Sequence, residues 1–200
     1  MLFRSLIDQL GAGDAAAFRS TLLQECARRG LAVGDVVPAA ASLVVTCHAT
    51  IRDELHRVVQ AVLDEHVTPS RVAGDVVHIA VRYDGDDLAE VAAATSLTIA
   101  DVIRLHSSAD YQVEFCGFVP GFAYLRGLAT ELHLPRRSSP RVRVPAGAVA
   151  IASHYSAVYP RESPGGWHLL GTTSLTVWDA LRTPPALLQP GARVRFVPES

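Results

Sequence analysis

The sequence predicts an α+β protein of two unlike domains, a small N-terminal α/β sandwich domain over residues 1–70 followed by a β-barrel domain over residues 71–200. Three observations carry this. Only two of the twelve prolines, Pro38 and Pro69, precede residue 120, whereas alanines and helical periodicity dominate the first half. The first seventy residues order themselves as strand, helix, strand, strand, helix. From Tyr111 onward nearly everything is a short apolar run bounded by glycine or proline, and closing such strands into a barrel removes their unpaired edges.

Residues 2–6 begin the first domain as a strand. Ala15, Phe18, Leu22 and Cys26 then recur at helical spacing, with Asp14 as N-cap and Gly30 as the stop. Asp35 to Val37 and Leu43 to Cys47 are β-branched runs separated by Pro38 and small residues. Leu55, Val58, Val59, Val62 and Leu63 give a second amphipathic helix capped near Thr50. Thr68-Pro69-Ser70 reads as the linker, and residues 76–81 as the strand that opens the second domain. Asp86 and Thr98 are expected to cap two short helices, one with Leu88, Val91 and Ala92 on its apolar face, the other with Ile99, Val102, Ile103 and His106. A DNA-reading helix pair would carry basic residues for phosphates. Only Arg104 and His106 qualify, so packing is the expected role. The chain closes on Pro190-Gly191 and the alternation Arg193, Val194, Arg195, Phe196, Val197, with its arginines on one face.

Composition narrows the function. The net charge is -2, with no block of like charge, so neither nucleic acid nor an anionic membrane is an expected partner. All eighteen basic side chains are arginine. The absence of lysine excludes a Walker-type phosphate lysine, a pyridoxal Schiff base and a biotinyl attachment point on this chain. Cys26, Cys47 and Cys116 are odd in number and widely spaced, which fits neither a disulfide framework nor a zinc pattern. With no export signal and no membrane-spanning run, a reduced cytoplasmic protein is expected.

The segment from Phe115 to Gly171 packs turn formers and arginines more densely than helices or simple strands need. Val119-Pro120-Gly121-Phe122 and Ser163-Pro164-Gly165-Gly166 both place Pro second and Gly third, the pattern of a type II turn, whereas Val144-Pro145-Ala146-Gly147 suits type I. The succession GFVPGFAYLRGL, LPRRSSPRVRVPAG, YPRESPGGW and PGARVRFVP resembles the family of 5-oxoprolinase B subunits, also called allophanate hydrolase subunit 1, which includes sporulation-kinase inhibitors. The likeness extends over about residues 31–198 and is poor before them. It implies a cyclophilin-like barrel for the second domain. One stretch departs from the family: Ser153-His154-Tyr155-Ser156-Ala157 stands where the family reads Gly-Gly-Gln-Thr-Gly, which restricts the backbone and removes an amide.

Within this segment Arg136, Arg137, Arg141 and Arg143 are flanked by Pro135, Pro140 and Pro145, an arrangement suited to a carboxylate or phosphate. The structural alternative, a solvated strand face, is favoured for Arg141 and Arg143, and the two readings stand even for Arg136 and Arg137. Ser163, Gly165, Gly166 and Trp167 offer successive backbone amides to an anion beside an aromatic wall, or form a tight turn under the tryptophan. Tyr124 and Tyr159, in the same motifs, complete the candidate substrate-binding set. His154 is the acid/base candidate, while His106 and His168 read as core or surface residues. No His pair has metal spacing and no serine has a Gly-x-Ser-x-Gly setting, so neither a metal site nor a serine triad is expected.

The resemblance implies the B subunit of an ATP-dependent 5-oxoprolinase, acting with a cyclophilin-like C subunit and an A subunit to open the lactam of 5-oxoproline to L-glutamate. Phosphorylation of the amide oxygen makes its carbon electrophilic. ATP with Mg belongs to the assembled complex, with no cofactor on this chain. Two alternatives come with the same family: a regulator that inhibits a sensor histidine kinase, and a carboxyltransferase-like component of urea or allophanate metabolism.

Overall fold

The structure, a computed structural model, describes residues 2–7, 15–39, 42–64 and 76–199. The chain divides into two compact units, residues 1–72 and 73–200. The expected cap Asp14 and the linker Thr68-Pro69-Ser70 lie outside the described residues.

In the first unit β1 (Leu2–Ile7), α1 (Ala15–Arg28), β2 (Val33–Pro38), β3 (Leu43–His48) and α2 (Arg52–Asp64) follow the order that the hydrophobic pattern dictates. The strands form an antiparallel sheet in the order β1-β3-β2. Phe18, Leu22 and Cys26 of α1 pack with Val45 and Cys47 of β3 and with Leu55, Val58 and Val62 of α2. Gly30 ends α1 at φ +66, where the Leu31 amide can return to the Cys26 carbonyl at 2.9 Å.

The second unit opens with β4 (Val77–Val81), α3 (Leu88–Thr95) and α4 (Ile99–Ser108). It continues through β5 (Tyr111–Cys116), β6 (Ala123–Arg126), β7 (Arg141–Val144), β8 (Ala148–Ala152), β9 (Tyr155–Val158), β10 (Ser163–Gly165), β11 (His168–Thr172) and β12 (Arg193–Pro198). Seven of these strands form one sheet in the order β11-β8-β9-β6-β5-β12-β4, and β7 and β10 form a separate ribbon. The chain just past β4 curls back to the free edge of β11, where Arg82 and Thr172 exchange backbone hydrogen bonds of 2.9 and 2.8 Å. The sheet is thereby a nearly closed barrel, as the likeness implied.

Strand alternation sorts the side chains into two cores. Ile79, Val113, Leu125, Ile151, Leu170 and Phe196 fill one together with Leu88 and Val91 of α3 and Val102 of α4. The opposite face of β6, β8, β9 and β11 presents Tyr124, Ala148, Ala150, Ala152, Ala157 and Leu169 to a second, aromatic layer. Its small alanines leave room for large rings.

Several local expectations shift. Thr98 caps α4 as its spacing requires, its hydroxyl accepting from the Asp101 amide at 3.1 Å, but Ile99 at the first helical position stands 45% exposed. The cap position of α3 belongs to Asp87, one residue beyond the expected Asp86, and its side chain does not cap the helix. The turn at residues 119–122 forms as read, with Gly121 at φ +83 and the Phe122 amide on the Val119 carbonyl at 3.0 Å. The turn after β7 runs one residue later than expected, closing from Ala148 to Pro145, so Gly147 takes its left-handed position at φ +79. Residues 163–166 form no type II turn. Gly165 sits in strand β10 opposite Arg141, and glycine is needed because a Cβ there would lie 2.2 Å from the Tyr159 hydroxyl.

α3 and α4 pack on the barrel core through Leu88, Val91 and Val102; Arg104 pairs with Asp101 at 3.0 Å, and His106 is wholly buried. The Ser156 hydroxyl donates to the Ala150 carbonyl at 3.3 Å, so it accepts from His106 Nε2–H at 2.9 Å. Nδ1 then accepts from the Tyr83 hydroxyl at 2.7 Å. The ring also stacks on Phe196 at a centroid distance of 4.4 Å. Burial pushes the His106 pKa down to about 3, so the folded state holds it neutral while the unfolded chain takes up a proton below about 6.5. Stability from this group is full above that unfolded value and falls by about 1.4 kcal/mol per pH unit below it, until the folded pKa is reached. Urea unfolding at pH 7 and pH 5 is expected to show a loss for the wild type about 2 kcal/mol greater than for His106→Gln. Identical losses in the two proteins would contradict the assignment.

Candidate functional site

The functional segment of the second unit is organised by a carboxylate that the sequence reading passed over. Asp87 is 2% exposed. Its Oδ2 accepts from the Leu169 amide and Arg141 Nη1, both at 2.8 Å, and its Oδ1 accepts from Arg141 Nη2 at 2.7 Å and Arg137 Nη1 at 2.6 Å. Arg141 is therefore bidentate, the strongest geometry open to a guanidinium. Burial pushes the Asp87 carboxyl up, but the hydrogen bonds from Arg141 and Leu169 and the two nearby cations outweigh it and hold the group below the usual carboxylate range. Arg137 also meets Glu90 at 2.7 Å, and its backbone amide donates to the Gly166 carbonyl at 2.8 Å. One carboxylate thus joins the start of α3, β11, β7 and the loop at residues 135–140.

The β7–β10 ribbon lies over the aromatic layer, to which Val144 and Trp167 belong. Tyr124 stacks on Phe115 at 4.2 Å, and its edge contacts reach Phe122 at 5.1 Å, Tyr155 at 5.5 Å and Trp167 at 5.6 Å. Phe122 extends the layer to Tyr159 at 5.3 Å. Burial raises the Tyr159 pKa to about 12, and its oxygen is hydrogen-bonded with the Trp167 backbone. The Tyr155 phenol is pushed up by burial and by its hydrogen bond to the buried Glu114 carboxylate.

Beside this layer an open apolar groove of about 450 Å³ runs between residues 116–121 and Trp178, Ala186, Leu188, Gln189 and Pro190. Its rim is strained. The Val119 amide bonds to the Gly117 carbonyl at 2.8 Å across Phe118, whose φ of +67 makes this the rare positive-φ form of γ-turn. A non-glycine residue there costs about 1–3 kcal/mol. The strain holds the Phe118 ring 57% exposed while its edge contacts Phe122 at 5.4 Å, so groove and aromatic layer are continuous. Burial raises the Cys116 thiol to about 11, so it is a wall of the groove rather than a nucleophile at neutral pH.

The structure gathers some expected site residues and separates others. Tyr124, Tyr159 and Trp167 share the aromatic layer, with Gly165 beneath the Tyr159 hydroxyl. Ser163 is buried, its hydroxyl donating to the Arg161 carbonyl at 3.1 Å. Arg137 is spent on Asp87 and Glu90, and Gly166 offers its carbonyl to Arg137. Arg141, expected on a solvated face, is the buried carboxylate's main partner, whereas Arg143 is 79% exposed beside Glu162. Arg136 is exposed, close enough to Tyr159 to influence it electrostatically, and is the candidate cation left open to an external anion. His154 is exposed at the β8–β9 hairpin tip, its ring 4.0 Å over Tyr155. Sequence reasoning missed Asp87, Phe118 and Trp178. For Phe118 the signal was its place just before the Val119-Pro120-Gly121 turn, while Asp87 and Trp178 had none.

Fold and site together describe a carboxyltransferase-type barrel with an aromatic outer face and an apolar rim. The family model for the carboxyltransferase domain, subdomains C and D, matches residues 5–188, and the chain belongs to this family. It is 53% identical over 126 residues to the 5-oxoprolinase B subunit of Escherichia coli O157:H7, covering 62% of this chain and 58% of that one. It is 40% identical over 148 residues to the Bacillus subtilis B subunit, covering 72% and 62%. The chain thus spans about 60% of the length of these relatives. The solved structure of TTHA0988 matches with a TM-score of 0.84 at 36% identity, over 100% of this chain and 40% of that one. Urea carboxylase of Kluyveromyces lactis shares the fold at a TM-score of 0.74 and 18% identity. No helix among the described residues is long and apolar enough to cross a membrane.

The cluster makes a quantitative forecast. Asp87→Ala leaves two guanidinium groups without their carboxylate and should lower unfolding stability by about 3–5 kcal/mol in urea titrations at pH 7. Arg136→Ala is expected to change it by less than about 0.5 kcal/mol. Comparable, small effects for both would show that Asp87 does not organise the segment.

Proposed function

We propose that this chain acts as the B subunit of an ATP-dependent 5-oxoprolinase complex that opens 5-oxoproline to L-glutamate. The 53% identity to a 5-oxoprolinase B subunit over 126 residues carries the reading. The geometry supports a dependent role. Among the described residues no three His, Cys, Asp or Glu side chains form a metal set. Three of the four clustered arginines, Arg137, Arg141 and Arg143, pair with the chain's own carboxylates. The chain has no lysine for a Walker-type phosphate site, and Arg137 and Arg141 are already bound, which supports this part of the reading. ATP and Mg are assigned to the other components of the complex.

In this reading the chain supplies a binding face. Arg136 meets the carboxylate of the substrate, with Tyr124 and Trp167 as the aromatic wall, and the groove under Phe118 receives a cyclophilin-like C subunit, while the A subunit completes the enzyme. A strained backbone that displays an aromatic ring in solvent is a costly arrangement, and binding to a partner is what such a ring can gain. Hydrolysis of ATP and 5-oxoproline is expected only when this chain is combined with the A and C subunits. Turnover by the purified chain at the rate of the complex would overturn the reading.

Phe118→Gly separates strain from function. Glycine accepts positive φ, so unfolding stability should stay level or rise by about 1 kcal/mol, while co-elution with the C subunit on size exclusion is lost. Undiminished co-elution would remove the groove from the interface.

A further inference from the structure

The tip of the β8–β9 hairpin carries a second chemistry, independent of the groove and of the Asp87 cluster. An antiparallel bridge joins Leu134 to Ser153, with the Ser153 amide on the Leu134 carbonyl at 2.6 Å. The positions next to a hydrogen-bonded pair face each other without backbone bonds, and their side chains lie closest of all cross-strand pairs. Here those positions are His133 and His154. Their ring centroids are 6.2 Å apart at 59° between planes, and both residues are exposed.

Each ring is steadied from its far side. His133 Nε2 lies 3.0 Å from the Leu128 carbonyl, an acceptor, so Nε2 carries the proton and Nδ1 keeps its lone pair. The His154 ring rests on Tyr155. A histidine whose outer nitrogen donates to a backbone carbonyl while its inner one is bare has the arrangement that metal-ligating histidines adopt.

The geometry points to a binding site for a late first-row divalent metal ion of the Zn²⁺, Ni²⁺ or Cu²⁺ type, chelated by His133 Nδ1 and a ring nitrogen of His154. Imidazole suits these ions. With both nitrogens about 2.0–2.1 Å from a tetrahedral ion, the ring centroids would stand about 5 Å apart. Closing by about 1 Å is within the reach of two exposed side chains turning about their χ angles. No third His, Cys, Asp or Glu among the described residues completes a set, so the remaining positions belong to water or to a donor from another molecule. The ion clamps the segment before β7 onto a hairpin tip where Ser153 is held at φ +53.

Isothermal titration of ZnCl₂ and NiCl₂ into the full chain, in a non-chelating buffer, tests the site with His133→Ala, His154→Ala and, as a control on a remote exposed strand position, His78→Ala. One equivalent should bind in the micromolar range, weakened at least about tenfold by either clip variant and unchanged in the control. A ¹⁵N histidine spectrum should show the Nδ1 resonance of His133 moving on zinc addition. Equal affinity in wild type and both clip variants, or an unmoved His133 resonance at saturation, would overturn the proposal.

Discussion

A single buried carboxylate sets the geometry of the second unit. Asp87 accepts four hydrogen bonds, from Arg141 twice, from Arg137 and from the Leu169 amide. These partners are 50 to 82 positions away along the chain, so the carboxylate converts distant segments into one rigid support. Removing the acceptor from such a cluster costs far more than a surface pair would, because Arg141 loses both of its close hydrogen bonds and Arg137 keeps only the exposed Glu90. The extra length of chain just past β4 that closes the barrel on β11 also delivers Asp87, so barrel closure and ribbon anchoring share one stretch of backbone.

On that support the β7–β10 ribbon holds Trp167 and Val144 down on the rings of Phe122, Tyr124 and Tyr159. The alanines of β8 and β9 make this possible, since larger side chains would fill the space the rings occupy. Gly165 serves the same end by letting the Tyr159 hydroxyl approach the ribbon backbone. The layer ends at Phe122, whose contact with Phe118 hands the packing on to the exposed groove. Rigid core, aromatic face and strained rim form one continuous path from the barrel to the exposed groove.

Periodicity was enough for the helices and strands, while the kind of barrel came from the family likeness. The 3.6-residue spacing of Phe18, Leu22 and Cys26, the capping pair Thr98 and Asp101, and the alternation that leaves Arg193 and Arg195 outside are local signals, and local signals survive in a single sequence. The site was legible only in outline. The arginine cluster pointed to an external carboxylate or phosphate, whereas the anion that Arg137 and Arg141 meet is the chain's own Asp87, about fifty residues upstream, and no spacing rule links positions so far apart. Gly165 looked like turn chemistry because Pro-Gly usually is, but its reason is the close approach of Tyr159. Phe118 stands just before a legible turn, but the positive φ that gives it its role is a backbone angle that residue identity does not reveal.

Hydrogen exchange tests the organising role of Asp87 most directly. In wild type the amides of β7, β10 and residues 166–169 should exchange with the protection of the barrel strands, because the ribbon is anchored to them. Asp87→Asn keeps the size of the side chain and removes its charge, and should deprotect the ribbon selectively while β5, β6 and β12 retain their slow exchange. Uniform loss across the barrel, or a ribbon as protected as before, would contradict the account.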